Sequence, residues 1–231
     1  MAKRPIFIPR FDGSRLVEEI QVEFTWHPGF APVQKKKNIE GLHEAAKQRG
    51  LQSILEISTK SDQRLGVRLS AFNLKIEAPP FGDIPLECAY QGSKIFENGG
   101  PFIDLYTKEP REAKRDERLK KSGDLVGFQF GDNIWKLEPK TAFYDWLYIK
   151  ALYKFSDFLK RLFVYDGFSD IEFNPEKSLN CQARSCALLV SLMKKNLLST
   201  AIDDSEQFIS ILRPDSFAQP HSKELSQGAL L

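Results

Sequence analysis

Apolar and polar residues alternate one by one near the start of the chain. In VEEIQVEFTW, Ile20, Val22, Phe24 and Trp26 are separated by polar positions, and IFIPRF precedes them across an Asp-Gly step. Alternation at period two around a turn predicts a β-hairpin with one buried face. A basic loop, QKKKN, follows, and then the period changes. Ile39, Leu42 and Ala46 are helically spaced, which predicts a helix over about residues 39–49, capped by Asn38 and stopped by Gly50. LQSILEIS reads as a short strand and LSAFNLKIEA as extended chain, broken by PPFGD. PLECAYQGSKIFENGG, residues 85–100, reads as a helix with Pro at its start and a Gly pair after its end.

The second half is richer in helical spacing. EPREAKRDERLKKSG reads as an exposed helix, and LVGFQF and IWKLE, joined by GDN, as a second hairpin. Pro139 opens a long apolar helix through KTAFYDWLYIKALYKF. SDFLKRLF reads as another helix, DIEFNP as an extended link, LNCQARSCALLVSLMKK as a strongly apolar helix and SEQFISIL as the last. The sum is a mainly α protein with small β-hairpins, an α+β class, in a single domain over residues 1–213. The polar tail, residues 214–231, is expected to be disordered.

Composition narrows the function classes. The 231 residues are 42% apolar, enough for a sizeable core, and the formal net charge is only +2. Nucleic-acid contact would therefore need a local patch. Cys88, Cys181 and Cys186 are odd in number and lack zinc spacing, which suits a reduced, cytoplasmic compartment. No apolar run approaches membrane-spanning length, so no membrane partner is expected. His27, His43 and His221 have no ligand spacing, and neither a phosphate loop, a dinucleotide fingerprint nor a nucleophile elbow is present. No metal or cofactor is expected.

Four stretches carry candidate chemistry. On the helix read for residues 85–100, Glu87, Gln91 and Lys94 stand at i, i+4 and i+7 and share roughly 60° of arc at about 100° per residue. Apolar residues border that stripe, so it faces either a cavity or a partner, or it is a plain surface stripe of i,i+4 pairs. Asn98, Gly99 and Gly100 could offer backbone amides to a ligand, or simply end the helix. Asp145 lies among Tyr144, Trp146 and further aromatics, where its carboxyl could serve acid–base work, although helical aromatics more often form core. Asn174, Asn180, Gln182 and Arg184 precede an apolar helix. Arg184 could clamp a phosphate, while the Asn residues could merely cap the helix. The basic side of the charged helix, Arg111, Lys114, Arg115 and Arg118, could follow a phosphate backbone, helped by Lys35–Lys37, or could be a solvated face.

These motifs resemble the NADAR (YbiA-like) superfamily. Phe72 and Asn73 in LSAFN, followed by Glu87, Gln91 and Lys94 in E-x3-Q-x2-K spacing, are similar to its signature, although Ser70 and Ala71 precede Phe72 in an unusual order. FTWHPG, LECAYQGSKIFENGGPF, PREAKRD, EPKTAFYDWLY and EFNPEKSLNCQARSCALL look like the branch associated with DarT toxins, and the likeness runs to about residue 197. The resemblance implies a mainly helical YbiA-like fold and an antitoxin that removes ADP-ribose from guanine in DNA without a cofactor. Its partners would be ADP-ribosylated, single-stranded DNA, the ADP-ribose product and a DarT-like transferase toxin. Glu87, Lys94 and Asp145 would be catalytic. Phe72, Asn73, Gln91, Tyr144, Trp146, Asn180, Arg184 and the Asn98–Gly100 amides would bind substrate. Two alternatives stay open: an N-glycosidase of a small ribosylamine nucleotide, and a non-catalytic antitoxin that binds the toxin or ADP-ribose.

Overall fold

The computed structural model describes residues 1–13 and 15–212. The tail expected at residues 214–231 lies outside the described residues. Strands β1 (Ala2–Pro9) and β2 (Val17–Phe24) form the first hairpin, in register from Ala2 opposite Phe24 to Pro9 opposite Val17. Helix α1 spans Pro32–Lys47 and therefore absorbs the stretch expected to be a basic loop. Pro32 starts it, since a first-turn position needs no amide hydrogen. Asn38 does not cap the helix. It is buried, its Oδ1 accepts from His27 N at 2.7 Å, and its Nδ2 donates to His27 O at 2.9 Å.

The hairpin belongs to a larger sheet. Strands β3 (Ile54–Glu56) and β9 (Gly167–Ser169) complete a four-stranded sheet of order β2-β1-β9-β3, with β9 antiparallel to β1 and parallel to β3. Alternation along β1 sends Ile6 into one cluster with Val22, Phe24, Ile39 and Leu42, and Phe7 into the main core on the opposite face. Short helix α2 (Arg64–Arg68) leads to a 3-10 turn at Ala71–Asn73, where an extended chain was expected, and then to the small hairpin β4 (Lys75–Glu77) and β5 (Asp83–Pro85).

Helix α3 is shorter than its sequence suggests. It covers Leu86–Gly92, and Lys94–Phe96 is strand β6, not a continuation of the helix. The cause is tertiary. A Cβ on Gly92 would lie 2.6 Å from Tyr106 Cε1, so the helix end is pressed against the 3-10 turn at Ile103–Thr107. Strand β6 pairs with β7 (Leu125–Phe130), which pairs with β8 (Asn133–Lys136), giving a three-stranded sheet in which Lys94 sits opposite Phe128.

The expected charged helix is broken into α4 (Pro110–Arg115) and α5 (Arg118–Lys121). Asp116 ends the first by accepting from Arg118 N at 2.9 Å and Arg118 Nε at 2.8 Å. The apolar helices follow as α6 (Ala142–Tyr153), α7 (Ser156–Leu159), α8 (Gln182–Lys194), α9 (Leu198–Asp203) and α10 (Ser205–Leu212). Helix α8 packs on β1 and β9 and on α6, which ties the four-stranded sheet to the rest of the core. The class is α+β, with more strand than two hairpins supply, so the mainly α expectation understated the sheets.

The Asn98–Gly100 turn bends back onto β6. Gly100 has φ of 90°, and a Cβ there would lie 2.2 Å from the Lys94 carbonyl oxygen. Gly100→Ala is expected to destabilise the fold by about 1–3 kcal/mol through backbone strain and the clash with Lys94. A fall in the denaturant midpoint with unchanged slope checks this.

Candidate active site

The site begins with a helix that ends early. Glu87 and Gln91 are one turn apart on α3, and Gln91 Nε2 donates to Glu87 Oε1 at 2.9 Å. Although β6 rather than the helix carries Lys94, the turn at Ser93 returns its side chain to the same neighbourhood. Lys94 is fully buried, with Nζ 4.8 Å from the centroid of the Tyr90 ring. Burial lowers the Lys94 pKa to about 7, with Glu87 pulling it back up and Lys114 pushing it down. Lys114, on α4, lies 3.9 Å from Glu87 Oε1. Glu87 itself is only partly exposed, so it forms the outer edge of a group whose inner member is Lys94.

Tyr90 joins the helix to the chain before α8. Asn180 Nδ2 donates to the Tyr90 hydroxyl at 2.8 Å, and Tyr144 meets the Tyr90 ring edge-on at 5.4 Å. Burial first, then the charges of Glu87, Cys181, Asp170 and Asp145, push the Tyr144 phenol well up. Two buried acceptors nearby, Gln91 Oε1 and Asn180 Oδ1, accept no hydrogen bond from the described residues. Buried acceptors of this kind suit hydroxyl or amine donors of a ligand.

Asp170 was not singled out by the sequence. It follows β9, is buried, and accepts from Gln182 Nε2 at 3.0 Å and Glu172 N at 3.0 Å. Burial, reinforced by the charge of Glu56, raises its pKa and favours the protonated form. Gln182 in turn accepts from Ala71 N at 2.7 Å, which fixes the Ala71–Asn73 turn. The only sequence cue was a carboxylate next to a very short apolar strand.

Other expected residues have different work. Asp145 and Arg184 are both buried and ion-paired to each other, and Ser185 Oγ donates to Asp145 Oδ1 at 2.6 Å. Asp145 is therefore a structural counter-ion to Arg184, not a free acid, and Arg184 is not an open phosphate clamp. Trp146 is a core residue, 5.1 Å from Trp135 by ring centroids, and does not present a stacking face. The Asn98 and Gly99 amides donate to Ser122 O and Phe96 O, so they close a turn rather than cradle a ligand. Phe72 is exposed, and Asn73 Nδ2 donates to Val67 O at 2.7 Å, both on the turn beside α3. Arg118 is held by Asp104 and Asp116, while Arg111, Lys114 and Arg115 are the exposed members of the expected basic stripe. Among the described residues no cluster of His, Cys, Asp or Glu could hold a metal, and no helix is long and apolar enough to cross a membrane.

Comparison with known proteins agrees with the motifs. The family model of the DarT1-associated NADAR antitoxin matches residues 2–222. The chain belongs to this family. A search of curated proteins finds no match.

Two outcomes follow from the geometry. Asp145→Ala should cost about 3–5 kcal/mol, because it leaves Arg184 buried without its counter-ion, and Asp145→Leu combined with Arg184→Met should regain most of the loss. Equilibrium unfolding of the two variants against the wild type measures this. Lys94 is charged in both folded and unfolded states below pH 7, so its burial cost is then complete. Above pH 7 the folded state loses the proton first, and the cost falls until about pH 10.5. The stability gained by Lys94→Met should therefore be constant below pH 7 and shrink between pH 7 and 10, as read from unfolding curves at several pH values.

Proposed function

We propose that this site hydrolyses the N-glycosidic bond between C1 of the distal ribose of ADP-ribose and the exocyclic amine of guanine in DNA. The protein would thereby reverse the modification made by a DarT-like toxin. Family membership supports the antitoxin role and the reading of this α+β architecture as YbiA-like. The observation that carries the chemistry is the burial of Lys94, with its pKa lowered to about 7, behind Glu87.

An amine whose pKa lies near neutrality is a nucleophile at physiological pH. The scissile carbon bears both the ring oxygen and the guanine amine. Protonation of the ring oxygen opens the ribose to an iminium ion at C1. Lys94 Nζ adds to C1, a proton passes from Nζ to the guanine nitrogen, and the C1–N bond to guanine breaks. The resulting Schiff base between C1 and Nζ takes up water, releases the sugar aldehyde and restores Lys94. Glu87 carries the protons between these steps, since its carboxylate stands at the outer edge of the site. Gln91 and Asn180 offer their buried acceptor oxygens to sugar hydroxyls. Asp170, whose burial favours its protonated form, takes in this reading the proton-donor role that Asp145 was expected to fill. Pairing of Asp145 with Arg184 argues against a glycosidase-like route in which Glu87 and Asp145 would act as paired carboxylates.

The test is incubation with a single-stranded oligonucleotide bearing ADP-ribosylguanine. Released ADP-ribose and restored guanine are expected, and borohydride added during turnover should trap ADP-ribose on Lys94. Lys94→Arg should lower kcat by about 100-fold or more while remaining folded. The kcat–pH profile should rise through about pH 7, as the amine loses its proton. Release of a base only from a free nucleotide would favour the small-substrate alternative. Full protection of cells by Lys94→Arg and Glu87→Gln would favour a binding antitoxin.

A further inference from the structure

A groove of 550 Å³ runs past the end of α6 and along α7. Its walls combine apolar floor with cations. Arg68, Lys75 and Lys154 line it, together with Phe155 and Phe158. Phe158 lies between two guanidinium groups, Arg68 Cζ at 6.0 Å and Arg161 Cζ at 5.0 Å from its ring centroid. Lys154 Nζ lies 5.5 Å from the centroid of Phe155, which is 48% exposed. The nearby carboxylates are already matched: Asp83 by Lys154 at 3.5 Å and Asp157 by Lys160 at 2.8 Å.

An exposed aromatic ring, Phe155, set among cations matches the chemistry of a single strand, whose bases stack while its phosphates pair with Lys and Arg. The groove also borders the candidate active site. Asn73 lines it, and Asn73 belongs to the Ala71–Asn73 turn that packs on α3 and is pinned by Gln182. Phe72, 64% exposed, stands on that same turn. By contrast, the α4–α5 stripe has Arg118 committed to two aspartates and Lys114 beside Glu87.

We propose that this groove is the track for the single-stranded nucleic acid whose modified base enters the site. The inference rests on the function proposed above for the identity of the modified base, but not for the binding of the strand. Phosphates run along Lys75, Arg68 and Arg161, and a base stacks on the exposed ring of Phe155.

The test uses the full chain and a fluorescent, unmodified single-stranded oligonucleotide, with anisotropy read at several salt concentrations. Lys75→Glu combined with Arg161→Glu should weaken binding by about tenfold or more and flatten the slope of log K against log salt by about 1.4. Phe155→Ser should weaken binding with the slope unchanged. The same variants should show a lowered ratio of kcat/KM on modified oligonucleotide to kcat/KM on ADP-ribosylguanosine. A fall in both values together, with lost cooperativity of unfolding, is corrected for by Phe155→Ser, whose surface position leaves the fold intact. Unchanged affinity in the groove variants would overturn the proposal, as would a loss confined to Arg111→Glu with Arg115→Glu. If the wild type binds the strand through the groove yet hydrolyses no modified substrate, the proposed function fails while the groove stands.

Discussion

A lysine amine held out of water is the constraint on which the rest of the structure turns. Moving a Lys pKa from 10.5 to about 7 corresponds to roughly 5 kcal/mol of lost preference for the charged form. The surrounding fold must supply that much to keep Lys94 buried. It does so through β6, which is locked between β7 and the returning Asn98–Gly100 turn, and through Tyr90, whose ring covers the amine. Glu87 limits the cost by attracting the charged form.

The neighbouring elements serve that placement. Helix α3 ends at Gly92 because Tyr106 occupies the space a side chain would need, and the short connection delivers Lys94 under the helix instead of along it. Helix α6 adds Tyr144 to the wall of the site while its other residues, Asp145 and Trp146, face the core and α8. The buried Asp145–Arg184 pair crosses between α6 and α8, and so fixes the two helices that carry Tyr144 and the chain leading from Asn180. Asp170 does a similar job through Gln182, which sets the Ala71–Asn73 turn against α3.

Local pattern exposed part of this arrangement. The hairpins of β1–β2 and β7–β8 and the cores of α6 and α8 follow from periodicity alone. Glu87 and Gln91 were visible as an i,i+4 pair within apolar surroundings. Their meeting with Lys94 was expected for a different reason, a continuous helix, which Gly92 and Tyr106 prevent. Strand β9 was missed because three residues, Gly167–Ser169, gain their identity from β1 and β3 on either side. Asp145 and Arg184 looked like separate functional groups since nothing local shows that residues 39 positions apart neutralise each other. The basic stripe on residues 111–118 depended on one unbroken helix, and Asp116 breaks it.

The central claim is that Lys94 is a neutral amine for much of the time at physiological pH. Nuclear magnetic resonance can follow it directly, using selectively labelled lysine and Lys94→Arg to assign the signal. The account predicts a Lys94 titration midpoint near 7. A Lys94 midpoint near the ordinary value of 10.5 would contradict it.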